Sequence, residues 1–356
     1  MSRSERPYDN TDDQLDNHPN PHNPDTTSLP ISDAIEKYIS KRRGELTDAT
    51  IQSHESRLKW FREFCSYADV DETGDLTRPI VADFEEFRRE VAQGDPSPST
   101  MKTQVDTVRV FLKHIEKWGY AEPNIHVAAD PPSLSKSENI RHVDINIDDV
   151  KQALDYLRTH EYACRRHVVS ELVWHTGIRI GAVHSLDVDD IHLDDQLVEL
   201  RHRPNEGSRT TLKNKDDGER YIAISDYVAD MLEDWIQNRR PKTSYKEKGV
   251  REPLLTTRYG RASKSTLRTD VYEATWPQAY GAACSCDPHE DEGDCWANNK
   301  NDASACVDVI GPHTLRKHAI VHHLDNDWRL EHVSDRVNSE PEVVKDHYDQ
   351  AREDNL

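Results

Sequence analysis

The sequence predicts a mainly α protein of two domains with one small antiparallel β-sheet. Three observations carry that prediction. Apolar residues recur at helical spacing over most of the chain, and only a few short stretches between 188 and 224 alternate like strands. A Pro- and Ser-containing stretch at 121–146 divides the 356 residues into two parts, each long enough for its own core.

Residues 1–29 are rich in Asp, Asn, Pro and His with little to bury, so a disordered polar leader is expected there. Helices follow at 31–43, 48–68, 78–91 and 99–118. Ile51, Leu58, Phe61, Cys65 and Ala68 share one stripe of the second, and Met101, Val105, Val108, Leu112 and Ile115 share one face of the fourth. This helical domain, 30–120, shows basic side chains at Lys41, Arg42, Arg43, Lys102 and Arg109, a pattern that suits a phosphate backbone and equally suits an ordinary solvated face.

The second domain, 147–356, opens with helices at 147–159 and 162–175. Thr176-Gly177-Ile178-Arg179-Ile180-Gly181-Ala182 comes next, where a glycine permits a tight turn before a short helix and aims Arg179 inward. Strands are expected at 188–193, 196–202 and 219–224, with Lys213 or Lys215 on the hairpin before the last. A lysine on a hairpin is usually solvated, but its long flexible stem also lets it reach into a site. Helices are expected at 225–239, 263–280, 310–325, 330–338 and 341–349, with Leu254 and Leu255 in a short apolar segment between the first two.

An irregular insert at 282–308 carries Cys284, Cys286, Cys295 and Cys306, four of the chain's six cysteines within 23 residues, with His289 among them. That clustering suits a structural zinc site, although the spacing is not that of a standard zinc finger, and unligated thiols are the alternative.

The chain carries 67 Asp and Glu against 46 Lys and Arg, a formal net charge of -21. Acid is spread through structured segments while large apolar residues are sparse. That favours a solvated surface suited to concentrated salt over an acidic protein that avoids nucleic acid. No apolar run approaches the roughly 20 residues that span a bilayer, and the N-terminus shows no signal-type segment, so a cytoplasmic protein without a membrane partner is expected.

Chemistry concentrates at the C-terminal end. His313 and Arg316, three apart, share a helix face and form a phosphate grip, and Tyr348 follows as a candidate nucleophile. Taken in order, Thr-Gly-Ile-Arg179-Ile-Gly-Ala, the lysine hairpin, Pro-His313-Thr-Leu-Arg316 and His-Tyr348-Asp resemble the tyrosine recombinase or phage integrase family, in particular its haloarchaeal versions. The resemblance runs from Pro30 to the end.

It implies a helical core-binding (SAM-like) domain and an α+β catalytic domain that hold double-stranded DNA between them, and a homotetramer on synapsed sites. Tyr348 would attack the scissile phosphate to give a 3′-phosphotyrosyl enzyme. Arg179 and Arg316 would stabilise the phosphoryl charge, Lys213 (or Lys215) would protonate the leaving 5′-oxygen, and His313 would assist proton transfer, with no cofactor needed for catalysis. The family's acid three residues after the first arginine is Ala182 here. Its second histidine or tryptophan falls on Asn338 or Ser339, neither of which can carry positive charge. Only eight residues follow Tyr348, so the assembly contact is expected to lie elsewhere or to be short. These departures leave a second expectation open, a catalytically weakened relative that binds DNA as an architectural or regulatory protein.

Overall fold

The computed structural model describes residues 19–20, 23–92, 94, 96–134, 146–207, 209–242, 251–285, 297 and 299–353. The chain divides into two compact units, Met1–His142 and Val143–Leu356.

In the first unit β1 (Pro19–Asn20) pairs antiparallel with β2 (Asn23–Thr27). Helices α1 (Ile31–Arg42), α2 (Asp48–Tyr67), α3 (Arg78–Ala82), α4 (Phe84–Glu86) and α5 (Pro98–Lys117) follow, with a π-helical turn at Phe87–Val91. The helix starts are written in the sequence. Thr47 Oγ1 accepts from Thr50 N at 3.3 Å, Ser97 Oγ accepts from Thr100 N at 3.3 Å, and Pro98 occupies the first turn where its missing N–H costs nothing. All five phenylalanines of the chain, Phe61, Phe64, Phe84, Phe87 and Phe111, lie in this one core. Phe61 meets Phe84 edge-on at 5.5 Å and Phe111 at 6.0 Å, so the core is held by oriented aromatic contacts as well as by burial.

Two boundaries differ from expectation. The leader is not wholly without structure, since part of it pairs as β1 and β2 and its end is pinned: Leu29 is buried, its N–H donates to Thr73 Oγ1 at 3.1 Å, and Gly74 N donates to Ser28 Oγ at 3.0 Å. The stretch read as linker from 121 also belongs partly to this unit. Ala121, Ile125 and Ala129 are buried in its core, and Arg109 Nε donates to Ala129 O at 2.8 Å.

The second unit contains α6 (Ile147–His160), α7 (Arg165–Thr176), α8 (Ile180–Ser185), a three-stranded antiparallel sheet of β3 (Ile191–His192), β4 (Leu197–Leu200) and β5 (Arg220–Ala223), and α9 (Asp226–Asp234). A short pair, β6 (Thr256–Thr257) and β7 (Gly260–Arg261), precedes α10 (Lys264–Thr275), α11 (Pro312–Asp325), α12 (Leu330–Val337) and α13 (Pro341–Glu353). Its core is aliphatic, centred on Leu172, Ile178, Val198, Leu232, Leu254 and Leu315. The segment at 188–190 is a 3-10 turn instead of the strand expected there, because Asp190 Oδ2 takes the Asp187 N–H at 2.8 Å and competes with a ladder bond. The helix expected over 263–280 stops at Thr275, ahead of Trp276-Pro277. Among the described residues no helix is long and apolar enough to cross a membrane.

One feature fixes each end of α8. Asp187, buried, receives Arg251 Nε at 2.6 Å, Arg261 Nη2 at 2.5 Å and Arg203 Nη1 at 3.3 Å, while Arg261 also donates to His184 O at 2.9 Å and Leu186 O at 3.0 Å. Gly177 caps α7 at φ +65°, and a Cβ built there would lie 2.7 Å from Val337 Cγ1. Only glycine fits both the backbone and the space. Gly177→Ala is therefore expected to destabilise the second unit by about 1–3 kcal/mol. Urea denaturation at fixed salt measures it, and an unchanged midpoint would show that the turn tolerates a side chain.

Candidate active site

Three turns of chain meet at two guanidiniums. Arg316, on α11, is buried; its Nη1 donates to Gly177 O at 2.5 Å and Val337 O at 3.0 Å, and its Nη2 to Ser339 Oγ at 2.8 Å. Arg179, half-buried at the start of α8, donates from Nη1 to Asn338 O at 2.9 Å and from Nη2 to Ser339 Oγ at 3.1 Å. Ser339 Oγ thus accepts from both arginines and keeps its own proton to donate. Of the pair left open by the sequence, Ser339 is the side chain between the guanidiniums.

Asn338 faces the other way. It sits at φ +49°, and its Oδ1 accepts from Asn214 Nδ2 at 2.7 Å while its Nδ2 donates to Asp217 O at 3.0 Å. It tethers the lysine hairpin to the turn that carries Ser339. Lys213 and Lys215 are both exposed on that hairpin. Of the two, Lys213 is the one whose charge bears on His313.

Two further arginines were not foreseen. Arg220, at the start of β5, donates from Nε to Arg336 O at 2.9 Å and from Nη1 to Gly218 O at 2.8 Å, and Arg336, on α12, donates from Nη2 to His175 O at 3.0 Å. Among the described residues none of Arg179, Arg220, Arg316 and Arg336 has a carboxylate within ion-pair distance, in a chain that carries 67 acids. Burial, then Arg179 and Arg220, push the Arg316 guanidinium down to about 9, and burial, then Arg179 and Arg336, push Arg220 to about 10. An arginine keeps its proton at neutral pH, so the site gathers desolvated positive charge, an arrangement suited to an anion.

His313, in the first turn of α11, is exposed, yet neighbouring atoms desolvate its charged form and Lys317, Arg316, Arg179 and Lys213 repel it, so it is held below the usual histidine range. His347 lies edge-on to it with ring centroids 6.4 Å apart and is pushed down to about 4 by burial, then by Lys317, His313 and Arg316. These influences favour the neutral form of both imidazoles. Tyr348, the next residue on α13, is partly exposed. Its helix is docked through buried Val344 onto Ile320, Val333 and Val337. Ala182, in place of an acid, is buried.

The remaining candidates lie apart from this cluster. In the first unit Arg42 pairs with Glu45, Arg43 with Glu55 at 3.2 Å, Lys102 with Asp106 at 3.5 Å and Arg109 with Asp130 at 3.0 Å, while Lys41 is exposed. Cys284 and Cys306 are described, and Cys286, His289 and Cys295 lie outside the described residues. A cavity of about 580 Å³ opens beside Arg165, Arg166 and Asp270, but its charges are already matched, Arg165 to Asp270 at 2.6 Å and Arg166 to Glu161 at 3.0 Å. Unmatched charge, not void volume, distinguishes the arginine cluster.

The Phage integrase family model matches residues 144–350. The chain is 22% identical over 304 residues to tyrosine recombinase XerC of Mycobacterium sp. (strain KMS), covering 83% of this chain and 85% of that protein. In fold it is similar to a lambda integrase dimer bound to a COC′ core site, at 14% identity and a TM-score of 0.62, covering 91% of this chain and 78% of the other. A lambda integrase tetramer bound to a Holliday junction gives a TM-score of 0.59 at 13% identity, covering 88% of this chain and 75% of the other.

The tether can be tested without reference to activity. Asn338→Gly keeps the backbone conformation and deletes the amide, removing two bonds worth about 1 kcal/mol each, so hydrogen exchange over 213–219 is expected to rise roughly thirtyfold. Exchange along α11 should be unchanged. A hairpin that exchanges as in the parent protein would show that Asn338 does not hold it.

Proposed function

The chain belongs to the phage integrase family, and from that premise we propose that it is a site-specific DNA recombinase that cleaves and rejoins strands through Tyr348. The observation that carries the reading is the arginine cluster, which has no carboxylate within ion-pair distance among the described residues. A phosphodiester gains negative charge as its phosphorus becomes five-coordinate, and two fixed guanidiniums in a half-buried site stabilise that charge without reorganising.

The Tyr348 phenol oxygen attacks phosphorus as the bond to the 5′-oxygen breaks. The phenol, with a reference pKa of about 10, passes its proton to a neutral acceptor, the role proposed for His313, and Lys213 supplies the proton that the 5′-oxygen takes up. Arg179 and Arg316 each present parallel N–H donors to the non-bridging oxygens, and the Ser339 hydroxyl adds a donor in place of the imidazole or indole of the wider family. Asn338 acts on Lys213 through the hairpin and is a positioning residue in this scheme. The product is a 3′-phosphotyrosyl linkage and a free 5′-hydroxyl. Because one phosphoester replaces another, a 5′-hydroxyl from a second strand reverses the step without ATP or any other cofactor.

The partners proposed are double-stranded DNA and further copies of the chain, in a homotetramer on synapsed sites as in the lambda integrase assembly on a Holliday junction. In the first unit, exposed ion pairs such as Arg43–Glu55 and Arg109–Asp130 are each worth roughly 0–1 kcal/mol, so exchanging their carboxylates for phosphates costs little. Together with Lys41, Arg42 and Lys102 they form the proposed DNA contact. The acid excess fits a haloarchaeal cytoplasm, where salt screens repulsion between DNA and the outer surface.

The test is a nicked duplex built from DNA flanking the gene, incubated in concentrated potassium chloride and resolved under denaturing conditions. The parent protein is expected to form a covalent adduct, and Tyr348→Phe to bind the same DNA and form none. An adduct that survives Tyr348→Phe would remove Tyr348 as the nucleophile.

A further inference from the structure

We propose that Cys284, Cys306 and Asp308 hold one zinc ion that ties the two ends of the insert together, directly ahead of the helix carrying His313 and Arg316. The two sulfur atoms and a carboxylate oxygen lie within 4.8 Å of one another. Ligands at zinc–sulfur and zinc–oxygen lengths of about 2.3 and 2.1 Å on a tetrahedron stand roughly 3.5–4 Å apart, so small side-chain movements close the site. A pair of thiols with one carboxylate selects a borderline-soft divalent ion, since calcium and magnesium take oxygen ligands.

The carboxylate is already oriented. Ser285 Oγ donates to Asp308 Oδ1 at 2.6 Å and Ser285 N donates to Oδ2, the kind of outer contact that fixes a metal ligand. The surroundings explain why a metal is useful. Among the described residues the satellite core buries Trp276, Ala297, Ala303 and Cys306, with Tyr272, Ala279, Cys284 and Val309 packed around it. Beside Trp276, two alanines and a cysteine add little apolar area, so ligation adds stability to a small cluster.

The consequence for the active site follows from the chain path. Four residues separate Asp308 from His313, and Ile310 among them is bonded twice to Thr275 Oγ1, at 3.1 Å through its N–H and 2.8 Å through its carbonyl. Zinc at the ends of the insert therefore fixes where α11 begins. Cys286, His289 and Cys295, which the sequence places between the ligands, lie outside the described residues and form no part of the proposal.

The experiment is metal analysis of the full chain purified without chelators. About one zinc per chain is expected, with loss to background in Cys284→Ser and Cys306→Ser and no loss in Cys164→Ser, whose thiol is not in the cluster. To separate ligation from misfolding, zinc in the unsubstituted protein is exchanged for cobalt(II). A thiolate-to-cobalt charge-transfer band is expected, and chelation should lower the melting temperature, with zinc alone restoring it. No bound zinc and no cobalt band in the unsubstituted protein would overturn the proposal. So would a Cys284–Cys306 cross-linked peptide in an unreduced digest.

Discussion

A buried guanidinium keeps its charge at any pH the protein meets, and without a carboxylate beside it the surrounding chain must supply oxygen atoms instead. At Arg316 those atoms come from the Gly177 turn, the end of α12 and the Ser339 hydroxyl. Three segments far apart in sequence are thereby drawn to one point. Gly177 is glycine because its backbone takes φ +65° and Val337 leaves no room for a Cβ. Arg179 reaches the same hydroxyl because Asp187, held by three arginines, fixes the chain just beyond its helix.

The acid excess and a phosphate-binding site are compatible because the two kinds of charge are kept apart. Arg158, Arg165, Arg166, Arg203, Arg251 and Arg261 are matched by Asp or Glu, whereas the four arginines around Ser339 are bonded to carbonyls, and in two cases to that hydroxyl. Neutral acceptors orient a guanidinium without cancelling it. In concentrated salt, where long-range attraction is screened within a few ångströms, binding of a phosphate rests on such local, desolvated charge more than on net charge.

Much of this was legible in the sequence. The helical stripes of Leu58, Phe61, Met101 and Val108 mark the first core, and Arg179, His313 and Arg316 announce themselves by order and local context. The rest depends on three-dimensional approach. Asn338 and Ser339 are adjacent polar residues, and only the positive φ at Asn338 shows which of them turns toward the arginines. Arg220 and Arg336 lie in ordinary strand and helix patterns, and their charges add only because β5 begins beside α12. At 188–190 the Asp190 carboxylate outcompetes a strand bond that the alternating pattern suggests, and near residue 29 the Thr73 turn captures a leader that composition alone marks as solvated.

Charge compensation at the scissile phosphate can be read most directly by removing the phosphate's charge. On a native phosphodiester, Arg316→Ala is expected to cleave far more slowly than the parent protein. On a duplex whose scissile linkage is a neutral methylphosphonate, Arg316→Ala should recover cleavage to near the parent rate, because the charge that the guanidinium offsets is gone. If Arg316→Ala is as slow on the neutral linkage as on the native one, its guanidinium does not act by balancing phosphoryl charge, and the reading of the arginine cluster is contradicted.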